Sequence, residues 1–430
     1  NIPGEGASDL ISYLDGIFGV ATTSTNYAAR PWFGLLEESF DRWSELGGVE
    51  FIYEPTDNGS QLQSSRGVLN TRGDVRLGGA YIDGANATLA YTWLPESGDI
   101  VFDTGETSFY ANQSNNYRAL RNTLMHEIGH AIGLLHVESS SESLLMEPYS
   151  DATIDGPQLD DVRGLHGLYG DYYEKSNGGL GNGTASLATY LGSLTSGTSL
   201  SVGTDAASGQ SISPAAVDFV SIANSADVDF FSFEVDSAGT LSLTLTPLGG
   251  VFQQGVEGGA QTTFDASARN DLALEIYGSD GVTRLAAVDQ TQEGGSEVLA
   301  DLILPAGGTY YAKVSGALDN VQLFELQASF EAPNLAGDFN YDLAIDGSDL
   351  LVWQQRFGGL ASGSFVDADG NGLVDATDLA IWQRAFGSAS VTAGVAAVPE
   401  PSGLIWLAAL TLGSRLPRRH YRRGRAARAQ

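Results

Sequence analysis

Apolar residues along this chain of 430 residues change their spacing several times, and each change marks a boundary. In the first third the spacing is helical over long stretches. Phe33, Leu36, Phe40 and Trp43 share one face of residues 32–46, which predicts a helix with a core-facing stripe. Gly47-Gly48 closes it. Residues 49–54 read as a strand ahead of the turn cluster Asp57-Asn58-Gly59-Ser60. Further strands are predicted at 74–78 and 89–94, and the run 98–103 leads on to Glu106. A long helix is predicted from about Asn116 to Leu134, with Leu120, Leu124, Ile128, Ile132 and Leu135 on its buried face. A last helix opens at Gly156-Pro157-Gln158-Leu159 and ends near Tyr169-Gly170. Residues 1 to about 28 are weakly patterned and leave room for the end of a pro-segment.

Beyond residue 170 the composition turns to Gly, Ser, Thr and Asn, and residues 171–205 read as a linker. From 206 to 331 the period becomes two. Residues 229–235, 241–245, 272–277 and 309–314 are strands between Gly, Pro and Asp turns, which argues an all-β sandwich. Residues 335–388 hold a repeat: Asp349-Leu350, Trp353 and Phe357-Gly358 return as Asp378-Leu379, Trp382 and Phe386-Gly387. Each copy predicts a short helix behind an acidic loop. Residues 396–430 carry an apolar run, 403–412, followed by arginines. The run is shorter than the ~20 residues that span a bilayer. The expected architecture is multidomain: an α/β domain at 1–170 with a mixed twisted sheet, the linker, the sandwich, a small α module and a C-terminal hydrophobic helix.

Charge narrows the partners. The chain has 53 acids against 21 bases, a net charge of −32, and the arginines from Arg415 to Arg428 all follow the last acid, Glu400. So acidic a body excludes nucleic acid as a partner. Clustered carboxylates suit calcium, an oxygen-loving cation. With 0 Cys, neither disulfides nor a cysteine-thiolate latency switch is available. The first residues, Asn1-Ile2-Pro3-Gly4, do not form a signal peptide; either one was removed or export takes another route.

The candidate chemistry is concentrated in His126-Glu127-Ile128-Gly129-His130-Ala131-Ile132-Gly133-Leu134-Leu135-His136. On a helix, His126 and His130 lie on one face and can present two imidazoles to one metal. Glu127 can reach a water at that metal. Gly133 can take a positive φ, end the helix and swing His136 in as the third ligand. Three protein nitrogens and one open position suit a catalytic rather than a structural zinc.

This pattern resembles the long motif of the metzincin zinc peptidases. That family also has a methionine turn below the metal, and Leu144-Leu145-Met146-Glu147-Pro148-Tyr149 follows at a suitable distance in a chain with only 2 Met. The resemblance implies peptide-bond hydrolysis with Glu127 as general base and Met146 beneath the ligands. It places Pro148 and Tyr149 in the wall of the pocket for the side chain after the scissile bond. It lays substrate antiparallel to Leu89, Ala90 and Tyr91. The order of elements over roughly residues 30–170 resembles the matrixin, or matrix metalloproteinase, branch. That implies a calcium held by the side chains of Asp83, Asp103 and Glu106 and the carbonyls of Gly84, Asn86 and Thr88, and a second calcium at Asp74 and Asp99. The branch's structural zinc is not expected, because Tyr91 and Val101 stand where histidines are needed and the loop between Asp74 and Asp83 is too short. Val137, directly after the third ligand, departs from the best-known subfamilies. His166 reads as structural.

Asp227-Val228-Asp229-Phe230-Phe231 and the stretch 304–311 resemble the pre-peptidase C-terminal domain, implying a binding or maturation module, with a plain spacer as the alternative. In the repeat, Asp338, Asn340, Asp342, Asp346 and Asp349, and again Asp367, Asp369, Asn371, Asp375 and Asp378, occupy ligand positions of an EF-hand-like calcium loop. Ala344 and Leu373 would add backbone carbonyls. The pair resembles a type I dockerin, which implies docking onto a cohesin; a self-contained calcium module is the competing reading. Val398-Pro399-Glu400-Pro401-Ser402, the apolar run and the basic end resemble a PEP-CTERM sorting signal. That implies export, then removal of the tail by an exosortase at the cell envelope, with the mature chain ending near Pro399. A short surface-bound helix is the alternative. The whole reads as an exported, calcium-stabilised zinc endopeptidase at the cell surface or outside the cell. The competing readings are an inactive or latent metzincin-fold adhesion or scaffold protein, and a peptidase acting only on its own pro-segment or one partner.

Overall fold

The computed structural model describes residues 1–387 except 65, 141–142, 209–210, 256–258, 333–334, 341–343 and 360–365. The chain divides into two units, the first essentially Asn1–Leu335 and the second the helical repeat that follows.

The first unit opens with α1 (Leu10–Ile17) and α2 (Phe33–Leu46). A three-stranded sheet of β1 (Leu77–Ala80), β2 (Ala90–Thr92) and β3 (Ile100–Asp103) follows, in the order β1-β3-β2. β3 runs parallel to β1 and antiparallel to β2, so β2 is an edge. Then come the single turn α3 (Thr107–Tyr110), the long α4 (Arg118–Ala131) and α5 (Leu159–Tyr169). Trp43, Phe102, Leu124, Ile128, Val162 and Leu165 meet in one buried core. The Trp43 indole N–H donates to the Met125 carbonyl at 2.9 Å and ties α2 to α4.

Two expectations fail here. Residues 49–54 are not a strand: Phe51 packs on Phe40, but Ile52 is 82% exposed, and no neighbouring strand among the described residues takes up the backbone. Residues 1–28, weakly patterned in sequence, hold α1, whose Leu10 and Leu14, one turn apart, bury themselves in the core, and the Asp9 N–H donates to the Gly79 carbonyl. Leu135 is 66% exposed. The helix has ended by then, and Gly133 at φ +109° turns the chain off the helical period.

The sandwich is larger than its period suggests. One sheet has the order β12-β11-β14-β7-β4 and the other β13-β8-β15-β5, with β6 also on β15. The strands are β4 (Thr189–Leu194), β5 (Thr198–Val202), β6 (Val220–Ile222), β7 (Val228–Val235), β8 (Gly239–Leu248), β11 (Leu272–Tyr277), β12 (Arg284–Val288), β13 (Glu297–Leu304), β14 (Gly308–Gly316) and β15 (Gln322–Glu331). A separate two-stranded ribbon, β9 (Val251–Gly255) and β10 (Gln261–Asp265), pairs with neither sheet. The expected linker at 171–205 is therefore corrected: β4 lies parallel to β7 and β5 antiparallel to β15. Their small and hydroxylated residues hid the alternation, because packing against a partner, not propensity, makes them strands.

The two halves of this unit share a core. Phe219, Leu323 and Ile212 belong to the same buried cluster as Trp43 and Leu165. His166, fully buried, spans the joint, with Nε2 2.7 Å from the Leu46 carbonyl and Nδ1 2.9 Å from Ser221 Oγ. Its structural reading holds.

In the second unit α6 (Gly347–Arg356) and α7 (Ala376–Ala385) are related by their capping. Asp346 and Asp375 cap the two helices, and the Asp349 and Asp378 carboxylates accept from the Asp346 and Asp375 N–H groups at 2.7 and 2.8 Å. Trp353 donates to the Asp375 carbonyl and Trp382 to the Asp346 carbonyl, both at 3.0 Å. The repeat read in the sequence is thus a two-fold pair. Asp342 and the expected C-terminal hydrophobic helix lie outside the described residues. Among the described residues no helix is long and apolar enough to cross a membrane.

Burial holds the His166 ring neutral, with its pKa lowered from 6.5 to about 4, while the unfolded chain takes up its proton near 6.5. The stability from the neutral ring is therefore full above pH 6.5 and lost as pH falls towards 4, by about 3 kcal/mol. Urea unfolding from pH 7 to 4 should show this slope, and His166→Gln should flatten it.

Candidate active site

α4 carries His126 and His130 on one face, and the turn at Gly133 returns His136 to them. His136 Nε2 lies 3.1 Å from His126 Nε2 and 3.0 Å from His130 Nε2. Tetrahedral bonds of ~2.0–2.1 Å put neighbouring nitrogens about 3.3 Å apart. The second ring nitrogens are also assigned. His126 Nδ1 is 2.6 Å from the Leu145 carbonyl and His130 Nδ1 is 2.8 Å from the Leu134 carbonyl. A carbonyl only accepts, so each Nδ1 carries the proton and each Nε2 turns a lone pair inwards. Burial lowers the pKa of His126 to about 4 and that of His130 in the same direction. The three rings fit a zinc ion by donor type and spacing, and His126 and His130 also by tautomer.

Glu127 is buried beside His126. Desolvation pushes its pKa up to about 7, against a hydrogen bond from Thr92 Oγ1 at 2.6 Å. Thr92 ends the edge strand β2, a link between this carboxylate and the strand that no motif announces. Ala90 lies on β2, and Leu89 directly precedes it. The Leu89 carbonyl accepts from the Asp103 N–H and the Tyr110 hydroxyl, so its polar group is committed inwards.

Met146 lies under α4, 2% exposed. A Cβ on Gly129 would sit 2.4 Å from Met146 Sδ and 3.3 Å from Trp43 Cζ2, so the helix needs glycine there. Asp161 near the start of α5 accepts from the N–H groups of Leu145 and Met146 at 2.9 and 3.1 Å and sets the methionine turn. Sequence reasoning missed Asp161, because its partners are backbone groups 15 and 16 residues away. Pro148 is half-buried and Tyr149 exposed beyond the turn.

The expected calcium residues fare unevenly. Asp83, Asp103 and Glu106 gather around loop 82–88, but their carboxylates accept from the backbone. Asp103 takes the N–H groups of Ile82, Asp83, Gly84 and Gly105, and Glu106 that of Ala87. Asp83 takes the N–H and hydroxyl of Thr88. The second site is corrected. Asp99 is buried and gripped by Arg76, with Nε to Oδ1 at 3.1 Å and Nη2 to Oδ2 at 2.8 Å. A guanidinium occupies the oxygens a cation would need, and Asp74 is exposed and accepts from the Gly67 N–H. In the second repeat loop, Asp367, Asp369 and Asp378 do bring oxygens within 4.8 Å of one another.

A further acidic cluster was not anticipated. Glu174, Asp227 and Asp229 also offer oxygens within 4.8 Å of one another. Asp229 is completely buried, and neither oxygen has a hydrogen-bond partner. Burial, with Asp171, Asp227 and Glu174 nearby, raises its pKa well above the usual carboxylate range. The buried Asn182 side chain lies beside it and makes no hydrogen bond of ordinary geometry. An oxygen-only donor set around a buried, unpaired carboxylate suits a hard divalent cation. Its clue was the Asp-x-Asp at 227–229, but Glu174 lay in the supposed linker.

Fold and site together define a peptidase domain of the zinc type. Residues 19–170 match the family model of Matrixin (Peptidase_M10), and residues 227–316 that of the bacterial pre-peptidase C-terminal domain. The chain is 32% identical over 151 residues to the hatching enzyme of Paracentrotus lividus, covering 35% of this chain and 23% of that protein. It is 29% identical over 152 residues to matrix metalloproteinase-25 of Mus musculus, covering 33% and 24%. It is 30% identical over 142 residues to metalloendoproteinase 4-MMP of Arabidopsis thaliana, covering 32% and 39%. The chain thus spans well under half the length of these relatives. A crystal structure of the pre-peptidase C-terminal domain of a Bacillus anthracis collagenase is similar at 12% identity over 33% of this chain and 96% of its own, with a TM-score of 0.20. Residues 19–170 are thus similar to the matrixin family, to which metalloproteinases among these relatives also align, and residues 227–316 to the pre-peptidase C-terminal domain.

Gly129→Ala should lower the melting temperature. The gain in helix propensity is at most ~1 kcal/mol, whereas overpacking costs about 1–3 kcal/mol, and Met146 is backed by Trp43.

Proposed function

We propose that this protein is an exported, calcium-stabilised zinc endopeptidase. The observation that carries the reading is the convergence of three Nε2 atoms beside a buried carboxylate and a sheet edge. His126, His130 and His136 would hold zinc, which when bound polarises a peptide carbonyl and acidifies a water. Glu127 accepts the proton of the attacking water and delivers it to the leaving amine. Thr92 holds one Glu127 oxygen and leaves the other for that transfer. The open edge of β2 can bind an extended peptide through main-chain hydrogen bonds. Pro148 and Tyr149 flank the pocket for the side chain beyond the scissile bond.

Calcium belongs at the loop of Asp83, Asp103 and Glu106, in the repeat loops, and at the Glu174, Asp227 and Asp229 cluster. For the repeat, the reciprocal tryptophan bonds support a self-contained calcium module; binding of a cohesin-type domain would extend it to a docking module. The tail sequence supports export to the envelope and trimming near Pro399 by an exosortase-type enzyme.

Zinc content and casein hydrolysis of the full chain test the main reading. The wild type should carry one zinc and cleave. Glu127→Ala should keep the zinc and lose about 10²–10⁴ in kcat. A chain that binds no zinc, or an E127A variant that still cleaves, would remove the peptidase reading. For calcium, Asp229→Asn should bind one ion fewer by titration and lose part of the chelator-induced drop in melting temperature. An unchanged count would leave the carboxylate protonated instead.

A further inference from the structure

The ribbon β9–β10 grows out of the sandwich yet forms a strand ladder with neither of its sheets. Its partner is the peptidase half. Gly255 at the end of β9 forms an antiparallel bridge with Glu138, two residues past His136. Gln261, with its amide in the orientation its neighbours require, donates to the Glu138 carbonyl at 3.3 Å. Phe252 and Ala266 are buried with Leu144 of the methionine turn, and Val137 and Phe264 pack against them. The Arg163 guanidinium of α5 lies 4.6 Å from the centre of the Phe264 ring.

These contacts fall on the most weakly supported part of the site. His126 and His130 are set by a helix. His136 is on an exposed loop, held from below where the Val137 N–H donates to the Met146 carbonyl at 3.1 Å. The ribbon clamps that segment from the other side. Val137, next to His136, packs against the buried cluster of Leu144, Phe252 and Ala266.

We propose that the β9–β10 ribbon positions the third zinc ligand, so that the sandwich completes the metal site of the peptidase. Phe252 is the main positioning residue and Gln261 a secondary one. The inference rests on the zinc reading above.

The test uses the full chain with Phe252→Ala, Gln261→Ala and, as a control, Phe330→Leu, which lies in the sandwich core outside this cluster. Zinc release to a chromophoric chelator, hydrogen exchange over residues 136–147 of the metal-free protein, and melting temperature are read for each. Phe252→Ala should release zinc roughly 10–100-fold faster, the range seen when the support of a ligand is removed, and deprotect 136–147. Gln261→Ala, too mild to unfold a sandwich, should act in the same direction by a smaller factor. Phe330→Leu should lower the melting temperature with zinc release within about twofold of wild type. Zinc release and exchange unchanged in both ribbon variants would overturn the proposal, as would an equal acceleration in the control. A wild type that binds no zinc would instead defeat the zinc reading, and the exchange measurement would still show whether the ribbon holds the loop.

Discussion

The structure of the centre depends on two hydrogen bonds, from His126 Nδ1 to the Leu145 carbonyl and from His130 Nδ1 to the Leu134 carbonyl. They choose the tautomer. Without them three imidazoles about 3 Å apart would share protons with one another and present no common lone-pair pocket. Each carbonyl then needs its own support. Leu134 is held by the turn at Gly133, whose N–H donates to the His130 carbonyl. Leu145 is held by Asp161, which takes the N–H groups of Leu145 and Met146. The methionine turn, the glycine turn and the start of α5 are therefore parts of one constraint. Gly129 belongs to it as well, since only a missing Cβ lets Met146 rise against α4.

The same economy of support runs through the joint with the sandwich. A peptidase and an all-β module share Trp43, Leu165, Phe219 and Leu323 in one core, and His166 is satisfied from both sides. Where the joint is acidic the balance is different. Asp171 spends its oxygens on the Tyr173 and Ser221 N–H groups, but Asp229 faces Asp227 and Glu174 with no hydrogen bond of ordinary geometry. Burying like charges together is unfavourable until a proton or a cation intervenes. A neutral hydrogen-bonded ring and a cluster of buried carboxylates thus occupy neighbouring parts of one interface.

Much of the centre was legible in residue order. Positions four apart on a helix must share a face, and Gly133 was needed to bring His136 back; both are consequences of local geometry. His166 read as structural for a sound reason, since three ligands were already supplied. Residues 49–54 looked like a strand because Phe51 and its neighbours alternate, but alternation without a partner strand leaves Ile52 in water. Residues 189–202 looked like linker because Thr, Ser and Gly are poor local signals, and β7 and β15 made strands of them. Asp99 looked like a calcium ligand because an acidic side chain carries no mark of its partner; Arg76 stands 23 residues away in the chain.

Residue order alone settled the helix that carries His126 and His130, the tandem loop-and-helix repeat and the all-β character of residues 206–331, because each rests on a short local period or on a pattern that recurs along the chain. The fold decided which acids cluster together and which meet an arginine, how far the sandwich extends, and that a ribbon from it reaches Glu138 and Leu144. Those outcomes depend on partners tens to more than a hundred residues apart. Only the packed chain brings such groups together, and burial then sets whether each is paired, neutral or left in need of an ion.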